Sequence, residues 1–196
     1  MRNTLAVVNP SVLILAGQRP GVDPLCDATG VARKAEVPIL GKPMLDYVLE
    51  TLSQSNLGQI HISGFDGDLR GHSLAPSGEG PAESTYKALN SKVGYPAIIT
   101  TCDHVLLSKD MVESFFASAI HSGADFCVGL ATKDVIFAEY PETKRTYLKF
   151  SDVAVSGCNL FYIANAKGLA AIEFWKDAQH LRKRPFKLAR KIGLGG

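Results

Sequence analysis

Three stretches of the chain have residue types and spacing suited to phosphate chemistry. The first is Leu13-Ile14-Leu15-Ala16-Gly17-Gln18-Arg19-Pro20-Gly21. An apolar run that gives out in Ala-Gly lets backbone N–H groups approach an anion closely, because no side chain stands in the way. Arg19 offers a planar fork for phosphate oxygens. The second is Lys34, in Arg33-Lys34-Ala35-Glu36-Val37-Pro38-Ile39-Leu40-Gly41-Lys42-Pro43-Met44. A lysine carried back to the mouth of a strand suits neutralisation of a triphosphate and of a departing pyrophosphate. The third is Asp103, directly after Ile98-Ile99-Thr100-Thr101-Cys102. A carboxylate there must face something polar, and a phosphate-bound Mg²⁺ is a natural partner. Each stretch also has an ordinary reading: a strand-to-loop turn, a solvated lysine, a turn-forming aspartate.

Other chemistries lack their signatures. No G-x-G-x-x-G follows the first strand and no G-x-x-x-x-G-K-[ST] exists, which excludes the common dinucleotide and P-loop readings. His61, His72, His104, His121 and His180 are too scattered for a local metal motif, and only His104 stands beside a candidate acid. Cys26, Cys102, Cys127 and Cys158 form no C-x-x-C and fit a reducing compartment. No Ser-His-Asp or Cys-His set is evident.

These residues need strands and helices to position them. Ser11–Ala16 reads as a strand buried on both faces, and residues 17–36 as a long irregular loop broken by Gly and Pro. A short extended piece at Pro38–Leu40 precedes a helix begun by Gly41-Lys42-Pro43, with Met44, Leu45, Val48, Leu49 and Leu52 as its apolar stripe. Gln59–Ser63 and Ala97–Thr101 read as strands, Gly64–Pro81 as a loop and Ala82–Asn90 as a helix. Ser108 caps a helix over Lys109–His121 with the stripe Met111, Val112, Phe115, Phe116 and Ile120, and Ala124–Leu130 reads as a strand. Beyond Thr132, Arg145–Phe150 alternates and Val155–Ile163 is strand-like. Asn165 then caps a helix carrying Leu169, Ile172, Phe174, Trp175 and Ala178, and Pro185 opens a last short helix.

Alternating strands and helices imply an α/β fold, three-layer α/β/α and Rossmann-like, around a mixed, mostly parallel sheet. Ligands of such sheets sit beyond the carboxyl ends of the strands, where Gly17, Gly64 and Asp103 all fall. One crevice should hold them.

The 196 residues suit one domain, and 46% hydrophobic with 20% charged residues rules out wholesale disorder. Of the net charge of +2, six positive charges fall between Arg182 and Lys191, so the remainder carries −4. That is a mildly acidic body with one basic segment, not a nucleic-acid binder. The apolar runs are too short to span a bilayer, and MRNTLAVVNP has no signal-peptide pattern, so a cytoplasmic protein is expected.

Taken in order, Leu15-Ala16-Gly17, Lys34, Gly41-Lys42-Pro43-Met44 and Asp103 resemble the MobA-like NTP transferase domain of the nucleotidyltransferase family. That family includes molybdenum-cofactor guanylyltransferases, the cytidylyltransferase of isoprenoid synthesis and sugar-phosphate uridylyltransferases. The resemblance covers residues 10–130 clearly and the rest more loosely. It implies a nucleotide-diphospho-sugar-transferase type of fold in a single domain over 1–196, with 10–130 the nucleotide-binding half and 131–196 the acceptor-binding half. It further implies Mg²⁺-dependent transfer of NMP from an NTP to a phosphorylated small molecule, with release of pyrophosphate.

By this resemblance Lys34, Asp103 and Arg19 serve catalysis and Asp103 holds the metal. Leu15, Ala16, Gly17, Gln18, Pro20, Gly21, Lys34, Gly80 and Ser84 bind nucleotide, and Asn159 binds the acceptor. Apart from the resemblance, the basic run Arg182-Lys183-Arg184-Pro185-Phe186-Lys187 reads either as an acceptor-phosphate site using Arg184 and Lys187 or as a solvated helix face. There are departures from the family pattern. Gln18 replaces a second glycine and displaces Arg19, the loop before Lys34 is longer, and Cys102 stands where a glycine is usual. After Asn159 the acids Glu173 and Asp177 fall on a helix and offer no obvious second carboxylate for the metal site, and the end Gly193-Leu194-Gly195-Gly196 suggests an acceptor half that stops short. Two alternatives remain open: a glycosyltransferase of the same fold, against which it speaks that Asp103, in Cys102-Asp103-His104, has no partner acid two residues away, and a non-catalytic nucleotide-binding module.

Overall fold

The computed structural model describes residues 9–18, 21 and 23–181. In chain order its strands are β1 (Ser11–Leu15), β2 (Pro38–Ile39), β3 (Lys42–Pro43), β4 (Ile60–Ser63), β5 (Ser73–Ala75), β6 (Ala97–Thr101), β7 (Phe126–Thr132), β8 (Leu148–Lys149) and β9 (Ala154–Ile163). The α-helices are α1 (Pro24–Thr29), α2 (Met44–Ser53), α3 (Pro81–Leu89), α4 (Lys109–Ser122), α5 (Lys133–Glu139) and α6 (Leu169–Leu181).

One seven-stranded sheet runs β5-β4-β1-β6-β9-β7, with β8 paired to β9, while β2 and β3 form a separate hairpin. β5, β4, β1 and β6 are parallel to one another. β9 joins antiparallel to β6 and carries β7 and β8 antiparallel on itself. Because β1 lies in the middle, Val12, Leu13 and Ile14 have no exposed surface, and their side chains alternate between the two faces. Val12, Ile14, Ile62 and Ile98 pack with α2 and α4 residues such as Leu45, Val48 and Val112. Leu13 and Ile99 face the other way, onto Ala82, Ala88 and Leu89 of α3 and Leu169 and Ile172 of α6. The fold is thus three-layered, α/β/α, around a mixed sheet whose central strands are parallel.

Helix ends follow the chemistry of their residues. The Ser108 hydroxyl accepts from the Met111 N–H at 3.2 Å, and Gly123 closes α4 in the left-handed region at φ 65°. Pro81 opens α3 at a position with no hydrogen bond to lose.

Several boundaries differ from the sequence expectation. Residues 17–36 contain α1, capped by the Asp23 carboxylate on the Leu25 N–H at 2.9 Å, and a 3-10 turn at Lys34–Glu36. Local polar caps made order where glycine and proline suggested none. Pro43 precedes α2 as its cap while pairing in the hairpin, rather than standing in the first turn. Gly64–Pro81 contains β5, recruited by the edge of β4. The α4 stripe is narrower than its periodicity implies: Val112 and Ala119 are buried, whereas Met111 and Ile120 are exposed. α5 appears where no element was expected, capped by the Thr132 hydroxyl. Asn165 caps a 3-10 turn that leads into α6, not α6 itself. The helix expected at Pro185 lies outside the described residues.

Candidate functional site

A cleft of about 740 Å³ opens beyond the carboxyl ends of β1 and β6. That is ample for a nucleotide-sized ligand. Its floor is Leu15, Ile99 and Phe161, from three adjacent strands. Lys34 and Asp103, 69 positions apart in sequence, meet inside it as an ion pair between Lys34 Nζ and Asp103 Oδ2. Lys34 is delivered by the 3-10 turn, which is anchored by its neighbours: Ala35 and Val37 are each only 1% exposed. Asp103 stands in the turn after β6, where the Thr101 hydroxyl donates to its Oδ1. The Cys102 N–H donates to the Leu15 carbonyl at 3.0 Å, tying the turn to the end of β1.

The charges in this cleft are set by competition between burial and pairing. Burial opposes ionisation of Asp103, but the hydrogen bonds from Lys34 and Thr101 outweigh it and hold the carboxyl below its ordinary range. Burial likewise opposes the Lys34 ammonium, and Asp103 overcomes it, so the lysine pKa is raised. Both groups are therefore charged at neutral pH. The Cys102 thiol is pushed up to about 12 by burial and then by Asp103, which makes it inert. Burial lowers the His104 pKa, leaving a neutral imidazole whose Nδ1 lies 3.3 Å from the Thr100 hydroxyl.

Two glycines let the strand ends come together. At Gly64, φ is +78° and a Cβ would lie 2.6 Å from the Gly17 Cα, so no side chain fits. Gly64 itself does not line the cleft; it lets Gly17 and Ser63 do so. Of the other nucleotide-binding candidates, Leu15, Gln18, Gly80 and Ser84 line the cleft. The Ser84 hydroxyl accepts from the Gly78 N–H at 3.0 Å and so holds the Gly78–Gly80 backbone in the wall. Two candidates are elsewhere. Ala16 is buried, its N–H given to the Ser63 carbonyl at 2.8 Å. Gly21 lies in an adjoining hollow that shares Gln18 and Asp23 with the cleft. Arg19, Pro20, Arg184 and Lys187 lie outside the described residues.

Asn159 enters the cleft by an irregularity of β9. Val128 pairs with Phe161 but Leu130 pairs with Gly157, so β9 arches over Cys158–Leu160 in a bulge. Asn159 takes φ 49° at the crest, the left-handed region that asparagine tolerates better than most residues. Gly129 makes room below: a Cβ there would lie 3.2 Å from the Leu160 Cβ.

Among the cleft residues that sequence reasoning did not single out are Trp175, Thr101 and Asp23. Trp175, assigned to the apolar stripe of its helix, is 48% exposed and lies in the cleft wall edge-on to Phe161, ring centroids 6.4 Å apart. Helical periodicity carries no signal that separates a core-facing from a cleft-facing ring. Thr101 and Asp23 also line the cleft. The position of Thr101, two residues before Asp103, is the one signal that was available. Among the described residues no group of three or more His, Cys, Asp or Glu could hold a metal by itself. Among the same residues no helix is long and apolar enough to cross a membrane.

Comparison with known proteins accords with this geometry. The family model described as the MobA-like NTP transferase domain matches residues 12–140, about two thirds of the chain. A hypothetical transferase from Thermus thermophilus matches with a TM-score of 0.79 and 29% identity, over 93% of this chain and 77% of its own. CMP:2-keto-3-deoxy-manno-octonic acid synthetase, solved in complex with CTP, matches with a TM-score of 0.61 and 12% identity, over 94% of this chain and 86% of its own. The 4-diphosphocytidyl-2C-methyl-D-erythritol synthase of Anaerococcus prevotii gives 0.56 and 10%, over 87% and 76%. The last two likenesses concern the fold alone. No curated protein matches the sequence.

Proposed function

We propose, from the premise that this chain belongs to the MobA-like NTP transferase family and is a nucleotidyltransferase, that it transfers NMP from an NTP to a phosphorylated small molecule with the help of Mg²⁺. The observation that carries this reading is the Lys34–Asp103 pair, set in a cleft at the ends of the parallel strands. An ionised phosphate oxygen of the acceptor attacks the α-phosphorus in line. A new P–O bond forms, the α–β bridging P–O bond breaks, and pyrophosphate leaves with the electron pair. The attacker carries no proton to remove, so no general base is required. The work falls to positioning and to charge neutralisation.

In this reading the N–H groups near Gly17 and Gln18 receive the triphosphate, and the Gly78–Ser84 wall receives the base. Lys34 trades its bond to Asp103 for phosphate oxygens, in the ground state and as charge grows on pyrophosphate. Asp103, held ionised, is freed by the same exchange to bind a cation, with the Asn159 amide oxygen on the neighbouring strand. These residues fit Mg²⁺, which takes few protein carboxylates and completes its shell with water and phosphate oxygens. When bound there, it would spread the negative charge of the phosphates. We assign the reaction to the cytoplasm, in keeping with four free cysteines.

A thermal-shift panel of CTP, GTP, UTP and ATP, each with and without Mg²⁺, tests the proposal. A nucleotide at 100 times its Kd should stabilise the fold by about 2.7 kcal/mol. At least one NTP should raise the melting temperature, and more so with Mg²⁺. If none does, the proposal fails.

A further inference from the structure

Arg145 differs from the other described arginines. Arg33 pairs with Glu36 and Asp66, and Arg70 with Asp46 and Asp68. Arg145 has no carboxylate within ion-pair distance among the described residues. Its guanidinium is instead fastened to β9, Nε donating to the Ser156 hydroxyl at 3.1 Å and Nη2 to the Gly157 carbonyl at 2.9 Å. Both acceptors are neutral, so they orient the fork without neutralising it. Nη1 and the second N–H of Nη2 are left without a protein acceptor among the described residues.

The place is as telling as the pairing. Gly157 lies two residues before Asn159, at the foot of the bulge that carries Asn159 into the cleft. Arg145 and Gly157 are both exposed, and a Cβ on Gly157 would meet nothing within 4 Å. In the sheet order β1-β6-β9, Ile99 of β6 pairs with Phe161, so Gly157 and the unneutralised, pre-oriented guanidinium fastened to it lie past the carboxyl end of β6, on the side away from β1 and its glycine turn.

We infer that Arg145 is an anion receptor at the acceptor end of the cleft, gripping a phosphate or carboxylate group of the molecule that takes the nucleotide. The inference rests on the nucleotidyltransfer reading for the word acceptor; the anion site itself does not need it. A planar fork fastened to β9 by Nε and one N–H of Nη2 keeps a free face that can meet two oxygens of one anionic group at once. Held in this way, the acceptor approaches Asp103 from the β9 side, while the NTP phosphates occupy the side of Gly17 and Lys34.

The test uses the full chain, inorganic phosphate as the probe and acetate as the carboxylate arm. The Arg145 Nε–Hε resonance, assigned by its loss in Arg145→Gln, is followed by NMR during each titration. It should move saturably with phosphate, both in the wild type and in Lys34→Ala, where the triphosphate subsite is weakened. A stronger response to phosphate than to acetate names a phosphorylated acceptor, and the reverse a carboxylate. Arg145→Gln should weaken phosphate binding at least about tenfold and leave the thermal shifts given by Mg²⁺-NTPs unchanged. Arg145→Lys, which keeps the charge, should restore part of the affinity, whereas a purely structural role would make the two variants alike. A resonance indifferent to both anions overturns the inference. So does an Arg145→Gln chain that loses its nucleotide response in step with phosphate, since the arginine would then serve the NTP. A wild type that ignores all four NTPs but still moves the Arg145 signal sinks the nucleotidyltransfer reading and leaves the anion site standing.

Discussion

The parallel strands and the β7–β8 wing belong to one sheet but are built differently. β1 and β6 are buried along nearly their whole length, with Val12, Leu13, Ile14 and Ile98 fully inaccessible. β7 has no buried residue, α5 has none, and β8 is exposed throughout. Leu130, Val135, Tyr140, Leu148 and Phe150 all stand half exposed or more. The reason is coverage: helices pack on both faces of the central strands, whereas of β7 only Phe126 and Cys127 reach those two clusters. Strands held on both sides fix the ends from which Gly17 and Asp103 project. A lightly covered wing can give way around ligands of differing size. β9 is the boundary between the covered strands and the lightly covered wing.

Four substitutions would sharpen or break that comparison. The largest effect belongs to Asp103→Ala, which should abolish transfer, a loss of at least about 10³-fold in kcat, while metal-free NTP affinity changes little. Pyrophosphate release at the wild-type rate in that variant would remove Asp103 from the chemistry. Next is Ile98→Ala in the covered region. Truncating a fully buried isoleucine should cost about 2–5 kcal/mol by urea unfolding. Lys34→Ala should weaken triphosphate binding about tenfold, on the order of 1.4 kcal/mol. Calorimetry showing an undiminished affinity would make Lys34 a partner of Asp103 and nothing more. Smallest is Phe150→Ala in the wing, where an exposed side chain should cost below about 0.5 kcal/mol. Were Phe150→Ala to cost as much as Ile98→Ala, the contrast between the regions would be false.

Much of this arrangement was legible in the sequence. The β-branched runs at Ser11–Leu15 and Ala97–Thr101, the apolar stripe of α2, and the Ser108 and Gly123 ends of α4 all follow from short-range sterics and hydrogen bonding. So did the convergence of Gly17 and Asp103, because strand ends of a parallel sheet open on one side, although Gly64, expected with them, supports Gly17 without lining the cleft. Less was legible where a neighbour decides the outcome. β5 is three residues of no marked pattern, made a strand by the free edge of β4. Trp175 fits a buried stripe by spacing and lies in the cleft by the way α6 crosses Phe161. Ala16 and Gly21 belong to the phosphate-turn motif yet fall behind the cleft and beside it.

By itself the sequence determined most of the segments that become strands and helices and where most of them stop. These are consequences of side-chain branching, periodicity and caps, all acting within a few residues. The tertiary structure alone decided that Lys34 spends its charge on Asp103, that Asn159 rides a bulge into the cleft, and that Arg145 is fastened to neutral groups on β9. Those outcomes depend on strand order and register between positions far apart in the chain. Such pairings are settled only when the whole sheet packs at once, and no local pattern records them.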